Sequence, residues 1–597
     1  MNSSDDQMNN VNLAETINLF NTKIQWFIVG IFIAFLVPLT QIASSYAFKT
    51  LVDGLGGAHC QHQAASLLCI ILALYLVRSI LNLISGYLLN YWKEWSILHV
   101  QSKLFEHVQN LEPEYHVKYP TSFFTSRLLN DPLVFQGHLF SIYVGIFKEA
   151  PAAVLLFCGI LFLNSKLAIL SLIFLPIMLL VNYLLAPKFR PKAYEVQEEV
   201  TKIYDHIEET MYGIQTIKTL LGEKKNAEIF NSILKNYLKS SLSFTRLNFS
   251  LANLNSFISS SAVVIILLLG INLSGYSGIS AGDLFALSML LSSFIGSISA
   301  LTDIIPEFKA LQAPAQRIFE IMNLPEEKQG TVNLSDIPSR IEFRNVYFRF
   351  EGDNDEFAIR NLNLCIRAGE KIAIVGPSGA GKTTLMKLLL DFISPERGEV
   401  LIDSIPVSKI NKADLRRLIA YTPQEGFLFS GTILYNITFP AEKVDMSSVV
   451  KATENANIYD KISSLPYKFN TPCGRNGLTF SGGERQRIIL SRILLREDFK
   501  VLILDEAFRE VDPLSEKQIL NYLLEAHKGK TIIYITHRLN SVISFDRIIF
   551  MRSGEILCAG THEQLLKSCT EYREMYIKSR GGMEDVLDVA IDSLSNE

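Results

Sequence analysis

Six stretches in the first half of the chain are each apolar over the roughly 20 residues that a helix needs to cross a bilayer. They lie at about Ile24–Val52, Ser66–Trp92, Tyr143–Leu163, Leu167–Ala186, Leu251–Leu273 and Leu284–Ile305. Backbone groups in lipid have to be satisfied within the segment, so these runs predict an α-helical six-span transmembrane domain. Tyr91 and Trp92 sit where interfacial anchors are expected, and Asn164-Ser165-Lys166 is the tight turn between the third and fourth spans.

Charge placement orients the spans. Residues 187–248 carry Lys188, Arg190, Lys192, Lys202, Lys218, Lys224, Lys225, Lys235, Lys239 and Arg246, whereas residues 53–65 and 274–283 contain no Lys or Arg. Positive-inside reasoning puts both termini and the two long connections in the cytosol of a multi-pass inner (plasma) membrane protein. Residues 1–23 are polar and lack the basic and apolar regions of a signal peptide, so they read as a cytosolic lead-in. A net charge of −4 gives no basic footprint for nucleic acid. Seven cysteines lie far apart with no metal-ligand spacing, and read as reduced thiols.

Arg78 interrupts the second span. A central Arg costs about 2.5–3.5 kcal/mol, so it needs a cavity or a partner. It is either a contact for an anionic headgroup, joined by Lys148 in a candidate substrate cavity, or one half of a buried ion pair, or an Arg that snorkels to the interface.

Composition changes after the last span. Residues 24–322 form the membrane region with two long cytosolic extensions, and 323–340, with two prolines, a glycine and several charges, read as a linker. Residues 341–580 alternate short apolar strands with helical stretches, as an α/β domain does. Residues 581–597 form an acidic tail, with Leu587, Ile591 and Leu594 at helical spacing.

Within the α/β domain, Ile372-Ala373-Ile374-Val375 reads as a strand. It is followed by Gly376-Pro377-Ser378-Gly379-Ala380-Gly381-Lys382-Thr383, and then by a helix from Thr384 to Leu390. This is the phosphate-binding loop G-x-x-x-x-G-K-[ST] in its strand–loop–helix setting. Its amides suit the phosphates of ATP, Lys382 the β/γ oxygens, and the Thr383 hydroxyl a Mg²⁺ ion. Four further features fall at strand ends or helix starts. Gln424 follows Ala420-Tyr421-Thr422-Pro423. Phe480-Ser481-Gly482-Gly483-Glu484 opens a helix over Gln486–Leu495 and offers a second anion surface. Val501-Leu502-Ile503-Leu504 ends in Asp505-Glu506, with Asp512 six residues on. Ile532-Ile533-Tyr534-Ile535-Thr536 ends in His537. Ligands bind outside the carboxyl ends of such strands. Asp505 suits Mg²⁺, Glu506 the polarisation of an attacking water, and His537 a contact with the γ-phosphate.

These residues, in this order behind six spans, resemble the ATP-binding cassette transporter family, in its exporter-type half-transporter form. The resemblance runs from about residue 20 to 580. It implies an ATP-driven transporter for an amphipathic substrate (lipid, drug or peptide), working by alternating access. It implies that Ser481-Gly482-Gly483-Glu484 is the signature motif, closing on ATP held by Gly376–Thr384 of a second copy, with adenine stacked on Phe350. It also implies that Gln424 senses Mg²⁺, that Asp512 lies at the dimer interface, and that cytosolic coupling helices lie near Tyr115–Arg127 and Glu208–Gly222. Intact Glu506 and His537 favour a homodimer.

The chain departs from the family pattern in four places: Phe480 and Glu484 in the signature, Phe350 in place of Tyr, Arg475 in place of Glu, and Arg509-Glu510-Val511 before Asp512. The membrane half is most similar to lipid flippases of the lipid A exporter type, through Leu76-Val77-Arg78, Phe147-Lys148-Glu149 and Asn164-Ser165-Lys166-Leu167. It lacks their basic residues between Ser292 and Glu307. An importer of a metal chelate and an ATP-gated channel or regulator are the other readings of this fold.

Overall fold

The structure is a computed structural model that describes residues 13–54, 61–274, 280–302, 304–334, 339–350, 357–424, 426–441, 443–474, 477–496 and 498–579. The acidic tail 581–597, Arg475, the first residues of the lead-in and part of the linker lie outside the described residues. The chain divides into two compact units. One takes residues up to Leu111 with Tyr119–Pro325, and the other takes Glu112–Lys118 with residues from Glu326 onward.

The first unit is helical. Among the described residues five helices are long and apolar enough to cross a membrane: Ile24–Gly54, Ala64–Gln109, Thr121–Leu163, Glu223–Leu269 and Ala281–Thr302. The fourth apolar run of the sequence does not form one uninterrupted helix. It forms Ser165–Ser171, a turn at Leu172-Ile173, and the start of a long helix over Phe174–Tyr212. Pro176 supplies the reason. It has no N–H to give to the carbonyl four residues back, at Leu172, so the helix breaks there and restarts with proline in its first turn.

The same chemistry shapes Thr121–Leu163, which contains two π turns, Ser126–Asn130 and Gly145–Glu149. Each stands just before a proline, Pro132 and Pro151, whose missing donor frees a carbonyl in the preceding turn and widens it. The second π turn carries Lys148 and Glu149. The hairpin turn is capped as its sequence suggests: the Asn164 side chain accepts from the N–H groups of Lys166 at 3.1 Å and Leu167 at 3.2 Å.

Apolar faces pack between spans. Leu156, Ile160, Ile266, Leu287, Leu291 and Phe294 form one buried cluster, and Leu104, Phe135, Leu139, Leu311 and Ile318 another. Helices Pro113–Lys118 and Ile214–Thr219 fall within or beside the stretches expected for coupling helices.

Among its described residues the second unit holds ten strands: β1 Arg340–Phe348, β2 Ile359–Arg367, β3 Lys371–Val375, β4 Arg397–Ile402, β5 Ile405–Pro406, β6 Ile419–Thr422, β7 Val501–Asp505, β8 Thr531–Thr536, β9 Arg547–Arg552 and β10 Glu555–Gly560. One sheet has the order β2-β1-β4-β5 and is antiparallel. The other has the order β10-β9-β3-β8-β7-β6, parallel except for β10. Strands β7 and β8 are buried along their whole length, which is why they read as unbroken apolar runs rather than alternating ones.

One expectation from the sequence is overturned here. Cys558 on β10 and Cys569 form a disulfide, with Cα atoms 6.5 Å apart. Thr561 and Gln564 cap the helix His562–Ser568 and fold it back against β10, bringing together two cysteines that the sequence separates by 11 residues.

Candidate nucleotide site

Four neighbouring strands, β3, β8, β7 and β6, all point their carboxyl ends to the same edge of the sheet. The residues singled out from the sequence leave the sheet at that edge: Gly376 to Thr384 after β3, His537 after β8, Asp505-Glu506 at the end of β7, and Gln424 after β6. The parallel sheet thus gathers groups that are up to 161 residues apart in sequence (Gly376 to His537).

The loop after β3 needs its glycines. Gly376 has φ +155° and Gly381 φ +91°, and a Cβ on Gly381 would lie 2.7 Å from the Ala358 carbonyl oxygen. A side chain at either position would be strained as well as crowded. Gly379 and its surroundings are open, with nothing within 4 Å of where a Cβ would stand. Gly381 then starts the helix Lys382–Leu389. Lys382 folds back across the loop, and its Nζ donates to the carbonyls of Gly376 at 2.9 Å and Pro377 at 2.8 Å. Burial lowers the Lys382 pKa, opposed by the nearby Glu506 and Asp505 carboxylates. A largely buried ammonium bonded only to carbonyls still has charge to give to a phosphate.

Asp505 is fully buried. Its carboxylate accepts from Thr383 Oγ1 at 3.2 Å and from the Tyr421 hydroxyl at 3.2 Å. Burial raises its pKa above the usual carboxylate range, against the two hydrogen bonds and Lys382. Burial and the neighbouring Asp505 also push the Tyr421 phenol up, so it stays a donor. Thr383 Oγ1, Asp505 and the Gln424 amide supply oxygen donors, the set that suits Mg²⁺.

Glu506 takes φ +47°, a conformation costing a non-glycine residue about 1–2 kcal/mol. That turn separates two adjacent carboxylates. Asp505 faces Thr383 and Tyr421, while Glu506 accepts from Gln424 Nε2 at 2.9 Å and lies 3.5 Å from His537 Nδ1. Phe350 packs edge-on to Phe348, with centroids 4.9 Å apart.

Ser481 opens a different helix. The helix runs from Gly482 to Leu494, earlier than its apolar pattern suggests, because Ser481 caps it. Its hydroxyl accepts from the Glu484 N–H at 3.4 Å, and the Glu484 carboxylate accepts from the Ser481 N–H at 2.9 Å. Burial works against the Glu484 carboxylate, but these bonds and Lys461, 3.0 Å away, hold its pKa below the usual range. Asp512 caps the helix Pro513–Ala526 by accepting from the Ser515 N–H at 2.8 Å. Among the described residues no hydrogen bond or ion pair joins Ser481–Glu484 to Gly376–Thr383.

In the membrane region Arg78 donates to Gln41, a buried residue of the helix Ile24–Gly54. Lys148 pairs with Glu149 at 3.2 Å, and Glu149 accepts from Ser297 Oγ at 2.9 Å. Among the described residues nothing joins Arg78 to Lys148. Gln41, Ser297 and Tyr421 are partners that sequence reading missed. A polar residue in an apolar run was the available signal for the first.

Comparison with known proteins agrees with this architecture. Residues 27–298 match the family described as the ABC transporter transmembrane region, and residues 359–509 the one described as ABC transporter. The ATP-dependent lipid A-core flippase of Haemophilus influenzae strain KW20 / Rd is 28% identical over 536 residues, covering 89% of this chain and 91% of that protein. The lactococcin-A transport/processing ATP-binding protein of Lactococcus lactis subsp. lactis is 28% identical, covering 93% and 77%. The structure of a bacterial Atm1-family ABC exporter with ATP bound superposes with a TM-score of 0.81 at 22% identity, covering 93% of this chain and 99% of the other. The two family matches together take in more than half of the chain, in the order membrane region and then ATPase domain. The chain belongs to the ATP-binding cassette transporters, as an exporter-fold membrane protein whose ATPase domain couples hydrolysis to transport.

Proposed function

We propose that two copies of this chain form an exporter that moves or flips an amphipathic, lipid-like molecule out of the cytosolic side of the inner membrane. Both ATPase domains would face the cytosol. The observation that carries this reading is the shared edge of β3, β8, β7 and β6, where Lys382, His537, Glu506 and Gln424 meet in a chain that also spans a membrane. The lipid A-core flippase and lactococcin-A transport relatives support the substrate class.

In this reading the amides of Gly376–Thr384 and the Lys382 ammonium hold the phosphates, and Phe350 faces the adenine. Thr383, Asp505 and Gln424 would hold Mg²⁺, which when bound supplies positive charge to the β- and γ-phosphates. Glu506 accepts a proton from the attacking water as general base, and His537 holds the γ-phosphate. Among the described residues the Ser481–Glu484 helix start has no phosphate loop bonded to it, which supports its use by the second copy, with Asp512 beside it. ATP then drives closure only as far as it binds the closed pair more tightly than the open one. Arg78 and Lys148 would meet the substrate headgroup.

The test uses purified, lipid-reconstituted protein. Glu506→Gln is expected to bind ATP and retain it after free nucleotide is removed, with almost no hydrolysis. Near-normal turnover would remove Glu506 from its role. Two co-expressed copies with different tags are expected to co-purify; recovery of single-tag protein alone would overturn the homodimer.

A further inference from the structure

The segment Arg509-Glu510-Val511-Asp512 lies directly on the glycines that start the helix Gly482–Leu494. A Cβ on Gly483 would stand 2.6 Å from the Glu510 carbonyl oxygen and 3.7 Å from the Val511 Cα, and a Cβ on Gly482 would overlap the Glu510 carboxylate. Packing against the Glu510 backbone therefore requires Gly483 to be a glycine, independently of any ligand, whereas at Gly482 the neighbour is the movable Glu510 side chain.

Glu510 is held there from several sides. Its N–H donates to Gln486 Oε1 at 3.0 Å, and its carboxylate lies 3.9 Å from Arg485 Nη2. On the far side, Arg487 Nη1 lies 3.7 Å from Asp512, whose carboxylate is engaged in capping the next helix. The other nearby carboxylate, Glu484, is occupied by the Ser481 N–H and by Lys461. Glu510 is thus the carboxylate that rests on Gly482 itself, and its side chain remains 52% exposed.

The start of a helix, with its free amides and the positive end of its dipole, favours one anion. Here a side chain of the same protein already brings one to that place. We propose that Glu510 is a positioning residue that competes in cis with nucleotide. Its carboxylate occupies the surroundings of Gly482 that the terminal phosphate of an ATP held by the second copy has to enter, and so it sets the ATP concentration at which the two copies close. This rests on the homodimeric closure proposed above. Closure then requires Glu510 to withdraw towards Arg485 or into solvent. The segment that carries it begins three residues after Glu506, so the withdrawal is felt next to the general base.

The test compares full-length, lipid-reconstituted wild type with Glu510→Gln, Glu510→Ala and Glu510→Asp. Glu510→Gln keeps the shape and removes the charge, and is expected to lower KM for ATP about fivefold, the size of one screened charge pair, with kcat within about twofold. Glu510→Ala moves the same way, Glu510→Asp stays near wild type, and the difference shrinks at high salt. In a Glu506→Gln background, the ATP needed for half-maximal retention falls by the same factor. An unchanged or raised KM in Glu510→Gln, with retention intact, overturns the role of Glu510 alone. If adding Ser481→Arg to Glu506→Gln leaves retention untouched, closure does not use this helix. Both the homodimeric reading and the role of Glu510 then fall.

Discussion

Gln424 Nε2 donates to Glu506 Oε2 at 2.9 Å, joining the residue after β6 to the carboxylate after β7. Glu506 adopts its left-handed conformation at a cost, and Gln424 and His537 hold the side chain that this conformation aims away from Asp505. Beside its place in the proposed Mg²⁺ site, this bond gives Gln424 a second role, orienting the proposed general base. Gln424→Ala is expected to lower kcat about tenfold while changing KM for ATP by less than threefold, because ground-state phosphate contacts stay in place. Steady-state ATPase kinetics check this, and a loss confined to KM would contradict it.

Removal of the base itself is more severe. Glu506→Gln is expected to lower ATP turnover at least ~100-fold, the lower end of what a positioned acid–base group contributes. Single-turnover hydrolysis with bound ATP separates this from weakened binding.

Thr383 Oγ1 and the buried Asp505 carboxylate are 3.2 Å apart, which makes the threonine hydroxyl part of the proposed cation site. Thr383→Ala is expected to raise the free Mg²⁺ needed for half-maximal ATPase about tenfold, or ~1.4 kcal/mol. Chelation of Mg²⁺ is expected to abolish turnover in the wild type. A variant with an unchanged Mg²⁺ titration would place the ion elsewhere.

Arg78 reaches Gln41 on the neighbouring helix rather than Lys148. If this pair presents a charged group to substrate, both Arg78→Ala and Gln41→Ala lower the ratio of lipid-stimulated to unstimulated ATPase, Arg78→Ala by about fivefold or more. Stimulation by anionic phospholipid vesicles checks this. An effect on thermal stability without one on stimulation would make the pair structural.

Asp131, 4% exposed, is held by Arg317 through Nε at 2.9 Å and Nη2 at 2.7 Å. Truncating one side of a buried pair costs more than the pair contributes, because a charge is left unpaired. Arg317→Ala is expected to destabilise the membrane unit by about 2–4 kcal/mol, read as a lower Tm in detergent. Arg317→Ala with Asp131→Asn should recover part of that loss.

Much of this could be read from residue order. The loop Gly376–Thr383, the strand ends at Asp505 and His537, and the cap at Ser481 are local patterns, each enforced by backbone geometry within a few residues. The hairpin at Asn164 is local in the same sense, since one side chain caps two amides. The break at Leu172-Ile173 was also written locally, in Pro176, but the apolar run around it hid the signal. The disulfide between Cys558 and Cys569 was not legible, because spacing alone does not say which strand and helix fold onto each other.

By itself the sequence determined the membrane-spanning first half, the α/β second half, and the residue types available for phosphate chemistry. Those follow from apolar length, hydrogen-bonding need and short-range turn geometry. Tertiary structure alone decided the pairings: Gln424 with Glu506, Tyr421 with Asp505, Arg78 with Gln41, and Glu510 on Gly482. Each joins residues about 28 to 84 positions apart, with Tyr421 and Asp505 the most distant. No local pattern carries such a contact, because only the order of strands in the sheet and the packing of helices bring the two side chains together.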